Sequence, residues 1–238
     1  MLDLEEQLKK AQNSRFRIIV TDGVFSMDGF IAKLDQICDL ADKYKALVMV
    51  DDCHATGFIG KKGKGTAEYC NVLGRVDIIT GTLGKAMGGA MGGFTSGRKE
   101  VIEMLRQKSR PYLFSNSLAP SIVAAGIKAF EIIEKENIFK SQLDKNTKYF
   151  RHKIQQLGFE IKDGTHPIVP IMLFDAKKSQ LFASELLKKG VYVVGFFYPV
   201  VPKNLARIRV QLSASHTRND IDFALEAFKK VGKDLDVI

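Results

Sequence analysis

Lys85 is the residue of this sequence with the clearest chemical setting. It follows an apolar, β-branched run (Val76, Ile78, Ile79) and lies among glycines, with Gly84 before it and Gly88, Gly89, Gly92 and Gly93 after it. Glycine lets backbone approach a ligand closely, and a cation beside bare N–H groups suits an anion. Two phosphate loops fail on spacing. A nucleotide P-loop needs a glycine and a hydroxyl residue where Ile79 and Ala86 stand, and the dinucleotide fingerprint G-x-G-x-x-G is absent. What remains is a lysine at a strand end, with Thr80 and Thr82 as nearby hydroxyls. That suits a Schiff-base amine, which needs desolvation and polar neighbours to be nucleophilic. A surface lysine in a flexible glycine loop fits this stretch equally well.

A second group is Asp51-Asp52-Cys53-His54. An Asp-x-x-His pair has three readings. A metal site is weak without a second ligand cluster. A helix N-cap is the ordinary fate of one such aspartate. The third is a carboxylate that holds a protonated ring nitrogen, with an imidazole beside the ring. Joined to a Schiff-base lysine, that is the constellation pyridoxal phosphate requires. Ser26 stands in a loop with Gly23 and Gly29, where a turn or capping hydroxyl is the commoner role. Arg207 and Arg209 alternate with apolar residues and so share one sheet face. Arginine grips a carboxylate bidentately, although either one alone is more often salt-bridged or solvated.

These residues need a frame. Leu4, Leu8 and Ala11 predict a helix over 3–12, residues 15–21 a strand, and Ile37, Leu40, Ala41 and Tyr44 a helix over 33–45. Residues 46–50 read as a buried parallel strand, and the run from 76 as another, breaking at Gly81. The alternation predicts a doubly wound α/β domain. In such a domain Ser26, Asp51, His54 and Lys85 sit at strand C-terminal ends and converge on one crevice. A helix follows at 98–108 and a Pro-bounded link at 109–120, where Ser115, Asn116 and Ser117 cap a helix or donate to a phosphate. Helices dominate 121–157. Strands are predicted near 168–174, 191–197 and 207–212, and helices at 178–189 and 218–230, the last opening on a capping-box pattern at Thr217 and Asp220. Two domains result, 1–120 and 121–238, the second α+β.

The chain has 238 residues, 45% hydrophobic, with a net charge of +9. The basic residues are scattered, so no nucleic-acid partner is expected, and a polyanionic small substrate gains from the field. No apolar run reaches membrane-spanning length. Cys38, Cys53 and Cys70 form no C-x-x-C pair, which suits a reducing compartment. The acidic start Met-Leu-Asp-Leu-Glu-Glu is not read as a secretory signal. The expected location is the cytoplasm, or a matrix compartment after loss of a transit segment.

Three motifs together resemble the α-oxoamine synthases, pyridoxal-phosphate enzymes of the aspartate aminotransferase fold (fold type I). They are Val-Asp51-Asp-Cys-His54-Ala-Thr-Gly, Thr-Gly-Thr82-Leu-Gly-Lys85-Ala and Arg-Ile-Arg209. The stretches at 21–29, 110–120 and 195–202 are most similar to the members that condense glycine with acetyl-CoA. The resemblance implies a partial large domain with a mostly parallel sheet, a small C-terminal α+β domain, and pyridoxal 5'-phosphate as cofactor. It implies that Lys85 carries the cofactor and Asp51, with Asp52 beside it, meets the pyridine nitrogen. His54 and Ser26 then bond the phenolic oxygen, and Thr82 the phosphate. Ser115 and Asn116 reach the phosphate of the other subunit of a homodimer, and Arg209 holds the substrate carboxylate. Alternatives are a family member using another amino acid or a longer acyl-CoA, and a non-catalytic binding module. Family members have an N-terminal section with no counterpart here, which supplies a glycine-rich phosphate contact and a stacking ring. A chain without it is expected to be poorly active alone.

Overall fold

The computed structural model describes residues 1–88 and 90–238. The chain forms two compact units, one of residues 1–25 and 31–137, the other of residues 26–30 and 138–238.

The first unit opens with α1 (Leu2–Lys10), β1 (Ile18–Asp22) and β2 (Val24–Phe25). The chain then passes through residues 26–30 and into β3 (Phe30–Ile31). Next come α2 (Leu34–Tyr44), β4 (Leu47–Asp51), α3 (Thr66–Tyr69), β5 (Ile78–Thr82) and β6 (Gly93–Gly97). The unit ends with α4 (Lys99–Lys108), α5 (Arg110–Phe114) and α6 (Pro120–Lys135). Four of the strands form a sheet in the order β1-β4-β5-β6, and β2 and β3 pair apart from it. β1, β4 and β5 are parallel, and β6 runs antiparallel to β5. Helix α2 forms because Leu34, Ile37, Cys38 and Ala41 recur at helical spacing, and all four are buried. They pack with Ile19, Val48, Val50, Ala67 and Val72 against one face of the sheet. The helix stops at Lys45, which takes a left-handed conformation (φ 52°).

The second unit contains α7 (Ile138–Gln156), β7 (Ile168–Phe174), α8 (Ala176–Lys188), β8 (Gly195–Phe196), β9 (Ala206–Gln211) and α9 (Arg218–Asp234). Its strands pair antiparallel in the order β7-β9-β8. The core centres on Phe150, Phe159, Phe182 and Phe228, with Phe150 and Phe159 edge-on to Phe228 at 6.2 and 6.0 Å. The capping box at Thr217 and Asp220 forms as its spacing predicts.

Four differences from the sequence reading have physical reasons. β5 does not break at Gly81; it runs to Thr82, because Gly81 pairs with Phe94 and Thr82 with Gly93, and the Phe94 ring fills the space a Cβ at 81 would take. The glycine-rich run 93–97 forms a strand, since pairing with β5 supplies the ladder its side chains cannot predict. The 109–120 link contains α5. Helix α6 belongs with the first unit, so the division falls after residue 137 and not at 120. The packing explains it: Phe130 meets Phe94 edge-on at 5.5 Å, Gly126 lies on Leu83, and Leu118 fills the space over Gly92.

Candidate active site

In the first unit the strand register sets the site. Asp22 pairs with Asp51, and Asp51 with Thr80, so the ends of β1, β4 and β5 form one polar row. The Cys53 amide donates to Asp51 Oδ1 at 2.9 Å. Burial works to raise the Asp51 carboxyl, but the bonds from Cys53 and the positive charge of Lys85 outweigh it and hold it below the usual carboxylate value. Asp22 goes the other way: burial, then the neighbouring Asp51, push it up against the pull of Lys85. Burial, and after it the hydrogen bond with Asp51 and then its charge, push the Cys53 thiol up to about 11.

Lys85 owes its position to its neighbours on either side. Leu83 and Met87 are buried, while Lys85 between them is exposed. Met87 Sδ occupies the space over Gly57, whose φ of +98° no ordinary side chain adopts readily. The loop base closes with Leu83 N donating to Gly92 O at 3.0 Å and Ala90 N donating to Leu83 O at 3.1 Å. Thr82 Oγ1 donates to Gly92 O at 3.2 Å and accepts from Gly84 N at 3.1 Å. Contact between Thr82 and a phosphate therefore exchanges the Gly92 carbonyl for the ligand. Gly89 lies outside the described residues.

Asp51 and Asp52 point apart, as successive strand residues do. Asp52 is 3% exposed, and its carboxylate accepts from Thr66 Oγ1 at 2.5 Å and from Thr66 N at 3.0 Å. Burial raises this carboxyl against those two bonds. Gly65 (φ +90°) lets Asp52 approach so closely. His54 is half-buried in the turn after β4, which closes through Ala55 N and Thr56 N donating to Asp52 O, both at 2.9 Å; His54 itself has interacting partners. Ser115 and Asn116 are exposed on the extended link between α5 and α6. Among the described residues no group of three or more His, Cys, Asp or Glu side chains is placed to hold a metal ion.

The second unit holds Ser26 and both arginines. Arg209 Nη1 donates to Ser26 O at 3.2 Å, and its guanidinium lies 4.6 Å from the Phe196 ring centroid. Burial lowers its pKa from the ordinary guanidinium value. Arg207, two residues before it, is the salt-bridged one: it is 2% exposed, pairs with Asp28, and donates through Nε to Leu205 O at 3.0 Å. Gly29, at φ +71°, allows the same segment to pass close to the Ile168 carbonyl. Arg151 braces β7 from behind, with Nη2 donating to Ile168 O at 2.9 Å and His166 O at 3.0 Å. Sequence reasoning passed over Asp28 and Arg151. Asp28 carried a signal in the Asp-Gly turn; Arg151, on a polar helix, carried none.

The structure thus brings Asp51, Thr82 and Lys85 together in one unit, and Ser26 with Arg209 in the other. The first set offers a fixed anion beside an exposed amine. The second offers a braced guanidinium with N–H groups beyond the one given to Ser26.

The family model described as aminotransferase class I and II matches residues 1–228. The 2-amino-3-ketobutyrate coenzyme A ligase of Escherichia coli K12 is 59% identical over 240 residues, which is 100% of this chain and 60% of that protein. The 8-amino-7-oxononanoate synthase of Thermosipho melanesiensis is 49% identical over 236 residues, covering 99% of this chain and 60% of that one. Among solved structures, serine palmitoyltransferase from S. paucimobilis with a bound PLP–myriocin aldimine superposes with a TM-score of 0.94 at 30% identity, over 100% of this chain and 60% of that chain. The chain therefore spans about 60% of the length of these relatives. The fold implied by the sequence motifs, α/β with a mostly parallel sheet in the first unit and α+β in the second, is the one observed. With its sheet, its motifs and the family model in agreement over nearly every residue, the chain belongs to the aminotransferase class I and II family.

Proposed function

We propose that this chain carries the chemistry of a glycine C-acetyltransferase (2-amino-3-ketobutyrate CoA ligase), joining glycine to acetyl-CoA with pyridoxal 5'-phosphate as cofactor. The observation that carries the reading is the placing of Asp51 at the end of β4, its carboxylate bonded by the Cys53 amide, within the field of the exposed Lys85 amine, in a chain 59% identical to a protein of that name. The donor set fits the cofactor: an anion for a protonated ring nitrogen, an amine for an aldehyde, and the Thr82 hydroxyl with glycine-loop backbone for a phosphate.

When bound, the cofactor supplies an aldehyde that condenses with amines and a cationic ring that draws electrons from the attached carbon. Asp51 keeps the ring nitrogen protonated by holding a negative charge against it. With the cofactor bound, Lys85 would hold it through its amine, and the same amine would serve as general base at the glycine α-carbon. By the family resemblance His54 would bond the phenolic oxygen, and Ser26 is assigned there on the same ground. Asp52, assigned beside Asp51 from the family resemblance, has its carboxylate bound by Thr66, and its part is to hold the turn that carries His54. Arg209 grips the glycine carboxylate with its outward N–H groups while Ser26 O and Phe196 fix its plane. Ser115 and Asn116 serve the phosphate of a second copy, which makes a homodimer the proposed assembly.

Among the described residues no helix is long and apolar enough to cross a membrane. Cytoplasmic residence is proposed, in keeping with Cys38, Cys53 and Cys70 as free thiols. The 49% identity to an 8-amino-7-oxononanoate synthase favours a second reading, in which alanine and a longer acyl-CoA are used. A panel of glycine, alanine and serine against short and long acyl-CoAs, read by product mass, separates the two. Formation of 2-amino-3-oxobutyrate that is lost in Lys85→Ala supports the proposal. Turnover retained in Lys85→Ala, or a product mass other than that of 2-amino-3-oxobutyrate as the principal one, refutes it.

A further inference from the structure

Asp22 ends β1 with a carboxylate that does nothing for the fold. Among the described residues that carboxylate takes part in no hydrogen bond or ion pair, and the charges acting on it are those of Asp51 and Lys85. Its backbone, by contrast, is fixed. Asp22 is in parallel register with Asp51, and Asp51 with Thr80. Just past that row Gly23 N donates to Asp51 O at 2.7 Å, and Asp52 N donates to Thr80 O at 2.8 Å. Thr21 Oγ1 donates to Asp22 O at 3.0 Å. Residue 23 has to be glycine, since a Cβ there would stand 2.2 Å from Asp52 Oδ1.

Residues in register on neighbouring strands project to the same face, with the strands about 4.8 Å apart. Asp22, Asp51 and Thr80 therefore set two carboxylates and a hydroxyl in one row. Asp52 turns to the other face, where Thr66 binds it. Around Asp51 the neighbours act in opposite senses. The Cys53 amide, at 2.9 Å, and the Thr80 hydroxyl stabilise it as an anion, and so weaken its hold on a shared proton. A like charge one strand away strengthens that hold. Opposed carboxylates repel, and no bond to Asp22 offsets the repulsion, so the pair has no structural reason to be kept.

We propose that Asp22 is a positioning residue for the cofactor assigned above: a second carboxylate that, beside Asp51, concentrates negative field on the ring-nitrogen side of the site and holds that nitrogen protonated. This rests on the assignment of Lys85 and Asp51 to pyridoxal phosphate. Asp51 accepts from the ring N–H. Asp22 adds charge without a bond, so that loss of the ring proton would leave two anions facing one another.

The test titrates the full chain with pyridoxal phosphate and with its carbocyclic analogue, in which a C–H replaces the ring nitrogen. Asp22→Asn keeps the size and removes the charge. It is expected to weaken the cofactor by about fivefold or more and to leave the analogue within about twofold. In the chain without cofactor, carboxyl NMR is expected to show the Asp22 midpoint falling in Asp51→Asn and rising in Lys85→Ala. A loss for the cofactor no greater than that for the analogue overturns the proposal, because a merely structural role weakens both. An Asp22 midpoint indifferent to position 51 overturns it as well. Failure of the parent chain to fix pyridoxal phosphate at Lys85 strikes the assignment beneath it instead, and is told apart because the carboxyl midpoints are read without cofactor.

Discussion

Asp28→Ala removes the carboxylate that faces Arg207, a side chain 2% exposed in the second unit. Stranding one member of a buried pair costs about 3–5 kcal/mol. Two features reduce that here. The Asp28 side chain is 27% exposed, so the pair is not fully desolvated. Arg207 also keeps the Leu205 and Met27 carbonyls as acceptors, at 3.0 and 3.5 Å. The expected loss is therefore roughly 2–3 kcal/mol, a factor of about 30–150 in the unfolding equilibrium at ~1.4 kcal/mol per tenfold. Urea unfolding followed by far-UV circular dichroism measures it. The double variant Asp28→Ala with Arg207→Met removes the orphaned charge as well, and is expected to recover at least half of the loss, because an apolar pair of similar volume does not leave a buried ion. A single variant within ~0.5 kcal/mol of the parent, or a double variant less stable than the single, contradicts this reasoning.

Met87→Ala removes a fully buried side chain that pegs the Lys85 loop, and is expected to cost about 2–4 kcal/mol in the same unfolding assay. The yield of pyridoxal phosphate fixed to Lys85 by borohydride reduction should fall as the loop loosens. Asp51 has a folded-state pKa below its unfolded one, so its contribution is present above the unfolded value, near pH 4, and fades as pH falls through the folded value. Asp51→Asn is therefore expected to lose stability less steeply on acidification between pH 5 and about 2; parallel acid profiles for the two proteins contradict that. Alkylation of Cys53, followed by peptide mass, is expected to reach half its limiting rate near pH 11, and at lower pH in Asp51→Asn.

What the sequence disclosed depended on whether the responsible interactions were local. The α2 stripe and the β7 run 168–174 are written in consecutive side chains, and both form where the pattern places them. The capping box at Thr217 likewise needs four residues only. By contrast, Gly81 looks like a breaker until Phe94, thirteen positions away by sequence number, is seen to occupy its missing side-chain space. The run 93–97 has no strand former beyond Phe94 and Thr95, and becomes a strand through pairing with β5. Strand β8 keeps just Gly195 and Phe196 of a longer apolar stretch, because only these two pair in the ladder with β9, Val194 adding a single long bond from Arg209 N at 3.4 Å. At the site, the expectation that Asp51 and Lys85 lie at or just after strand ends was legible, and β4 ends at Asp51 while Lys85 follows the end of β5. The division of labour between Arg207 and Arg209 was not, since alternation puts both on one face and the choice is made by Asp28, far off in sequence.

The central claim is that the Lys85 amine and the Asp51 carboxylate form one pyridoxal phosphate site. Reducing the protein–cofactor mixture with borohydride and mapping the modified peptide by mass tests it most directly. The account predicts a single principal label on Lys85, absent in Lys85→Ala and diminished in Asp51→Asn. A label spread over Lys61, Lys62 and Lys64, or one on Lys85 indifferent to position 51, contradicts it.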